Sequence, residues 1–311
     1  MKLALYDDYI PARVDGDRIT SLAPLMPDIM AVPGRYRMTA VIEDWDRLKP
    51  LIENYRGNTL PLAGVRLRAP IPRPTKLLCA QANFREGLES TTRPVGMFLK
   101  ASNCVIGPGD TVELRNPDAA AFHHEAELAL VIGKAARDVS AADARDHIFG
   151  YTCFMDLSAR GMGAFVGFID KSHDTMAPMG PWIVTADEID DPQSLQIRLW
   201  VDGEIRHDYN MDDMAYPIGR LIEWVSSFNT LEPGDVLACG VNHQGLGPIQ
   251  DGETVTMEIE PIGRLEVIVA DPHKRSWPKG IDHEMADWVK QRIAGGNPPP
   301  PSILRGRPGY G

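Results

Sequence analysis

The sequence is poor in cysteine. Its 311 residues hold four: Cys79, Cys104, Cys153 and Cys239, far apart and never as a C-x-x-C pair. That spacing excludes zinc ribbons and dithiol redox motifs, and isolated thiols fit a reducing compartment. No run approaches the ~20 apolar residues of a membrane span. The start, Met1 to Asp8, lacks the apolar stretch of a signal peptide. We therefore expect a cytoplasmic protein with no membrane partner. Clustered Lys and Arg are also missing and the net charge is −11. Without a basic patch, nucleic acid is excluded as a partner.

Helical periodicity is scarce. A helix is expected near Trp45 to Tyr55, interrupted by Pro50, and a short one after Ser140-Ala141-Ala142-Asp143. Another is expected from about Asp212 to Ser227, with Ile218, Leu221, Ile222 and Val225 on one stripe. The last runs from about Asp282 to Ala294 and stops at Gly295-Gly296. Elsewhere short strand-like runs follow turn signals: Gly107-Pro108-Gly109-Asp110, Glu232-Pro233-Gly234-Asp235 and Gln250-Asp251-Gly252-Glu253. This pattern predicts an α+β, mainly β fold of the roll, barrel or sandwich kind. Pro70, Pro72 and Pro74 mark a linker, which divides the chain into a small N-terminal domain (1–70), a main domain (71–271) and a C-terminal helix with a Pro/Gly-rich tail (272–311). The tail, with Pro298 to Pro301, cannot build a core of its own. It either lies over the body of the protein or reaches a neighbouring subunit.

What the chain does hold is an unusual arrangement of acids. In Glu125-Ala126-Glu127-Leu128-Ala129-Leu130-Val131-Ile132-Gly133, strand alternation puts Ala126, Leu128, Leu130 and Ile132 on one face. Glu125 and Glu127 then lie side by side on the other. Two readings are open: a wet strand face, or a pair of carboxylates held together by something positive. Asp156 ends another apolar run, Tyr151 to Met155. It is either a turn residue or the third ligand of a hard-cation site of the Mg²⁺ type. Lys171 lies in the dense polar stretch from Asp170 to Trp182. Near three carboxylates, it would contact an anionic substrate or move protons.

Several segments, in order, resemble the fumarylacetoacetate hydrolase family: Glu125 to Lys134; Gly150-Tyr151-Thr152 with Asp156-Leu157-Ser158-Ala159-Arg160; Lys171-Ser172-His173-Asp174-Thr175 with Pro178 to Trp182; Leu231 to Val236; and Ile262 to Leu265. The resemblance spans about residues 75 to 270. It implies a mixed β-roll and a homodimer. It also implies Mg²⁺, or Mn²⁺ or Ca²⁺, held by Glu125, Glu127 and Asp156, with Arg160 and Lys171 on substrate oxygens. Phe98-Leu99-Lys100-Ala101-Ser102 matches the family's Phe-x-Lys segment, with Lys100 either at the site or structural. The implied substrates are 2-oxo acids or 1,3-dicarbonyl compounds, and the implied intermediate is an enolate whose charge the metal stabilises.

Two departures bear on the reaction. Hydrolytic members carry Asn-Tyr-x-x-His-x-x-Glu, whose His–Glu pair activates water. Here the stretch is Asn83-Phe84-Arg85-Glu86-Gly87-Leu88-Glu89-Ser90, with Gly87 and Ser90 at those two positions. Glu86 and Glu89 are candidates to substitute, though both read as surface helix residues. In the late loop, Gly-Thr-Pro is replaced by Gly240-Val241-Asn242-His243-Gln244-Gly245-Leu246-Gly247. Asn242 and Gln244 are candidate substrate-binding residues. His243 is either a replacement general base or a loop histidine exposed to water. His123 shares the acids' face, His124 takes the opposite one, and His173 falls near the site without a role. The leading expectation is a hydrolase that cleaves a C–C bond in an acylpyruvate-like acid. The alternatives are a decarboxylase, isomerase, tautomerase or hydratase acting on a 2-oxo acid or 2-hydroxydienoate, and a non-catalytic ligand-binding homologue.

Overall fold

The alternating run after Glu125 becomes the centre of a sheet. In the computed structural model, which describes residues 1–91, 93–163, 167–307, 309 and 310, it forms the strand Ala126–Ile132, buried at every position. This strand pairs antiparallel with Ile148–Met155 on one side and with Val236–Ala238 on the other. Ala126, Leu128, Leu130 and Ile132 face a core that also holds Ile197, Leu199, Val255, Met257 and Leu265. Ala129 and Val131 face a second core, with Met38, Val41, Leu48 and Ile52 from the N-terminal helices. Both faces are covered, and each fully buried Leu, Ile or Val contributes roughly 1.5–3 kcal/mol.

The main sheet grows outward from this strand. Ala177–Thr185 pairs with Ile148–Met155, and Lys2–Tyr6 pairs with Ala177–Thr185. The strands Ile10–Asp15 and Arg18–Ser21 follow, so the first 70 residues are tied to the rest by backbone pairing. On the far side Leu77–Ala80 lies parallel to Val236–Ala238 and antiparallel to Met97–Leu99. A five-stranded sheet (Glu204–Asn210, Gln196–Val201, Thr254–Ile259, Gly263–Ala270, Thr111–Glu113) supplies the other side of the first core. The fold is the expected mixed α+β type. Its sheets stay open, so the barrel form is not adopted.

Local expectations fare unevenly. The turn signals at 107–110, 232–235 and 250–253 each lead into a strand. The helix Trp45–Asn54 runs through Pro50 rather than breaking there, because Leu48 and Ile52 bury one of its faces. The helix expected from Asp212 begins only at Ile218. Asn210 caps a separate 3₁₀ turn at Met211–Asp213, and Pro217 disfavours helical geometry at the residue before it. After Ser140–Asp143 the chain makes a 3₁₀ turn, Ala144–His147. His283–Ile293 is helical, with the Asp282 side chain accepting from the Met285 N–H as its N-cap. No helix among the described residues is long and apolar enough to cross a membrane. The tail lies over its own chain. Leu304 is buried against Ala120, Leu246 and Met285, the Ser302 N–H donates to Glu284 Oε1 at 2.9 Å, and Arg307 Nη1 donates to the Asp118 carbonyl at 2.7 Å.

His124, on the face away from the acids, meets His207 edge to face with ring centroids 5.0 Å apart. Both are buried, and neither ring has a hydrogen-bonded nitrogen among the described residues. Burial lowers the pKa of both, that of His207 to about 4. The unfolded chain protonates His207 near pH 6.5, whereas the folded chain resists until about pH 4. This contribution is present above pH 6.5 and is lost as pH falls toward 4, on the order of 3 kcal/mol in total. His207→Phe is therefore expected to flatten the fall in denaturant midpoint between pH 6.5 and 4.5. An unchanged acid sensitivity would rule this account out.

Candidate active site

Glu125 and Glu127 leave the central strand on one face, and Asp156 follows the neighbouring strand, its N–H donating to the Glu125 carbonyl at 2.9 Å. Their relative exposures are 4%, 1% and 1%, so the wet-face reading is overturned. Oxygens of all three lie within 4.8 Å of one another. At an effective dielectric of ~20, each such pair repels by roughly 3–4 kcal/mol.

Cations offset part of that repulsion. Lys171 Nζ bridges Glu125 Oε2 at 2.8 Å and Asp156 Oδ2 at 2.6 Å. Arg160 Nη2 donates to Glu125 Oε1, as does the Ser158 hydroxyl at 2.8 Å. Lys100 is buried at the site, with Nζ on Asp156 Oδ1 and on the Leu157 carbonyl at 2.9 Å. Burial opposes charge on Glu125, but Lys171 and Arg160 outweigh it and hold its carboxyl well below the usual range. Burial likewise opposes charge on Lys171, yet Asp156 and Glu125 hold its ammonium above its ordinary range. Glu127 differs. It accepts the Gly240 N–H at 2.7 Å and has no ion-pair partner among the described residues. Burial, then Asp156 and Glu125, push its carboxyl well up. A buried acid with two acidic neighbours and no cation of its own, in an all-oxygen donor set, fits a hard divalent ion.

The three acids, Arg160 and Lys171 open onto one cavity, and His243 lines it too. Glu86 is not the expected surface helix residue. It is 2% exposed, and its Oε1 is bonded to His243 Nδ1 and accepts the His243 N–H at 3.1 Å. Gln244 Nε2 donates to Glu86 Oε2 at 2.7 Å. The backbone explains the inward turn: Glu86 and Gly87 both have left-handed φ, 56° and 79°, a conformation glycine takes freely. Burial works against ionised Glu86, but His243 and these hydrogen bonds hold its carboxyl below the usual value. Asp213 Oδ2 ties the turn to the late loop, accepting the Glu86 N–H at 3.0 Å and Asn242 Nδ2 at 2.9 Å.

Asn242 and Gln244, expected to bind substrate, do not line the cavity. Their polar atoms are spent on Asp213, on Glu86 and on the loop's own turn, where Asn242 Oδ1 accepts the Gln244 N–H at 3.0 Å. His123 is buried behind the acids, with Nδ1 3.3 Å from Arg160 Nε and Nε2 3.5 Å from Asp282 Oδ2. His173 is engaged with the Ile169 carbonyl. Glu89 is exposed. The sequence reading missed the cavity's contribution from Arg93 and from Trp288, Arg292 and Tyr310 near the C-terminus. The Met285, Trp288, Val289 and Ile293 stripe was the available signal that this helix docks on something.

Residues 76–270 match the family model described as fumarylacetoacetate (FAA) hydrolase C-terminal. A maleylpyruvate hydrolase of Aquipseudomonas alcaligenes is 34% identical over 291 residues, 86% of this chain and 99% of that protein. An oxaloacetate tautomerase of Bacillus subtilis is 37% identical over 219 residues, 66% of this chain and 73% of that protein. The crystal structure of maleylpyruvate hydrolase from Sphingobium sp. SYK-6 in complex with manganese(II) ion and pyruvate superposes with a TM-score of 0.80 at 35% identity. That match covers 87% of this chain and 99% of the other.

The unpaired carboxyl of Glu127 yields a test. Added Mn²⁺ or Mg²⁺ is expected to raise the melting temperature, by an increment worth about 2.7 kcal/mol at a hundredfold excess over Kd. Glu127→Gln is expected to abolish that rise without lowering the melting temperature of the metal-free protein. Calorimetric titration beside thermal melts checks both, and a rise that survives the substitution would remove Glu127 from the ligand set.

Proposed function

Because the chain belongs to the fumarylacetoacetate hydrolase family, we propose that it is a Mg²⁺-dependent hydrolase that cleaves a C–C bond in an acylpyruvate-like 1,3-dicarbonyl acid. The observation that carries this reading is the Glu86–His243 pair, which lines up behind the same cavity as the three carboxylates. It supplies a water-activating pair that positions 87 and 90 lack.

Glu125, Glu127 and Asp156 would hold the cation, which when bound supplies a Lewis acid for a 2-oxo-acid head and for negative charge developing on its keto oxygen. Arg160 and Lys171 orient the carboxylate and keto oxygens of that head. Ionised Glu86 accepts from Nδ1–H of His243, which fixes the tautomer and leaves Nε2 as the free base. His243 Nε2 takes a proton from water, and the oxygen attacks the acyl carbonyl beyond the 2-oxo-acid head. The bond from that carbonyl carbon to C3 of the pyruvyl half breaks, and its electron pair leaves with the pyruvyl half. The proton that His243 took from water passes to C3 of the pyruvyl half. Pyruvate and a carboxylic acid result, with one water consumed.

Likeness to an oxaloacetate tautomerase favours a second reading, in which the same pair only moves a proton between carbon and oxygen. With Mg²⁺ and a panel of acylpyruvates in H₂¹⁸O, the hydrolase is expected to place ¹⁸O in the released acid. His243→Asn and Glu86→Gln are each expected to lower kcat about 10²- to 10⁴-fold with Mg²⁺ affinity unchanged. If the acylpyruvates stay intact while keto–enol exchange of oxaloacetate is accelerated, the tautomerase reading replaces the hydrolase one.

A further inference from the structure

The cavity that holds the three carboxylates has a wall that the mechanism above does not use. Trp288, Val289, Gly309 and Tyr310, all from the C-terminal part of the chain, line it together with the acids. Trp288 and Val289 belong to the helix His283–Ile293, which is seated through its buried Met285 and Ile293. Tyr310 arrives by the tail, and the tail is held at three points. Leu304 is buried with Ala120, Leu246 and Met285. Glu284, in the first turn of the helix, accepts the Ser302 N–H at 2.9 Å and Arg305 Nη2 at 3.3 Å. Arg307 Nη1 donates to the Asp118 carbonyl at 2.7 Å. A β-carbon at Gly161 would lie 3.5 Å from Arg307 Cγ, so the Arg307 stem runs past the residue that follows Arg160. The chain then turns: the Tyr310 N–H donates to the Arg307 carbonyl at 3.1 Å, and Gly309 takes a left-handed φ of 79°. This turn brings the Tyr310 ring to Trp288, with centroids 6.2 Å apart and planes tilted by 55°, a spacing at which aromatic rings attract. Both side chains are half-buried. With two rotatable bonds each, such rings make a stiff surface.

We propose that Tyr310, seated on Trp288 by the anchored tail, is a specificity-determining residue that limits the length of the acyl half beyond the 2-oxo-acid head. The inference deepens the proposed function and rests on it for the head's position at the carboxylates. The family match ends at residue 270. The crystal structure of a maleylpyruvate hydrolase, covered over 99% of its own length, accounts for 87% of this chain. The length limit therefore belongs to the C-terminal segment rather than to the domain that the family shares. Tyr310 acts by its bulk and leaves the reacting atoms alone.

The test uses unbranched 2-oxo acids that carry no 1,3-dicarbonyl: pyruvate, 2-oxobutanoate, 2-oxohexanoate and 2-oxooctanoate. Binding of each to the full chain in saturating Mg²⁺ is measured by calorimetry. Each methylene buried without a clash raises affinity about fourfold. In the wild type that gain is expected to stop before 2-oxooctanoate. Tyr310→Ala is expected to bind 2-oxooctanoate about tenfold more tightly than the wild type, the worth of roughly two more buried methylenes, with pyruvate affinity unchanged. Tyr310→Phe is expected to match the wild type at every length. Leu304→Asp, which releases the tail but keeps Tyr310, is expected to copy the Tyr310→Ala profile, with a thermal melt to establish that it is folded. A wild-type gain that continues to 2-oxooctanoate, a Tyr310→Ala profile identical to the wild type, or an equal loss for every acid would overturn the inference. So would a Tyr310→Phe profile that follows Tyr310→Ala, or a folded Leu304→Asp that keeps the wild-type limit. Binding of none of the acids would remove the head's position, and the inference with it. Because no member is an acylpyruvate, a protein that shows the limit yet cleaves no acylpyruvate would keep the wall and lose the hydrolase reading.

Discussion

Three buried carboxylates within 4.8 Å of one another repel strongly, and the surrounding structure exists in a form that answers that repulsion. Lys171 comes from the short helix Phe168–Lys171, Lys100 from the segment after the edge strand, and Arg160 from the strand Ser158–Arg160. Each converges on Glu125 or Asp156. The carboxylates themselves are fixed because Glu127 rides on the fully buried strand Ala126–Ile132, packed on both faces, and Glu125 immediately precedes it. A rigid support is needed here, since an acid free to move would swing away from its neighbours. Glu127 is left without an ion-pair partner among the described residues, an imbalance that sets the cluster apart from a closed ion-pair network.

The second half of the site is assembled from chain ends far apart in sequence. Glu86 lies 157 residues from His243, and Asp213 Oδ2 is a shared acceptor for the Glu86 N–H and for Asn242 Nδ2 beside His243. Asn83 adds another tie, with Nδ2 donating to the carbonyls of Tyr216 and Cys239. His243 is thus placed by a network of neutral and charged hydrogen bonds rather than by one helix. Every polar atom of Asn242 and Gln244 described above serves that network, which explains why these residues are unavailable to substrate.

Much of the metal end was legible in the sequence because strand alternation is strict: once 125–133 is read as a strand, the faces of Glu125 and Glu127 follow. Asp156, Arg160 and Lys171 were legible through ordered signatures. Glu86 was not. Its inward direction depends on a left-handed backbone at two successive residues, and a Glu preceding Gly carries no sequence mark that distinguishes it from a surface turn. Lys100 was left open for a similar reason, since a lysine after an edge strand is commonly solvated. The helix start at Ile218 was misplaced because apolar periodicity was weighed above Pro217. Arg93 and Arg292 were invisible because 199 positions separate them and nothing local links them.

The helix His283–Ile293 is seated on the loop that carries His243. The Asp282 N–H donates to the Leu246 carbonyl at 2.7 Å, and Gln244 Nε2 reaches the Ala286 carbonyl at 3.4 Å. On the proposed function, substrate breadth and catalytic rate are therefore mechanically coupled in this chain. Any drift that tilts the helix to admit a differently sized molecule also shifts the imidazole. A lineage that diversifies its substrates by this route would surrender turnover until compensating changes in the 242–246 loop restore the base.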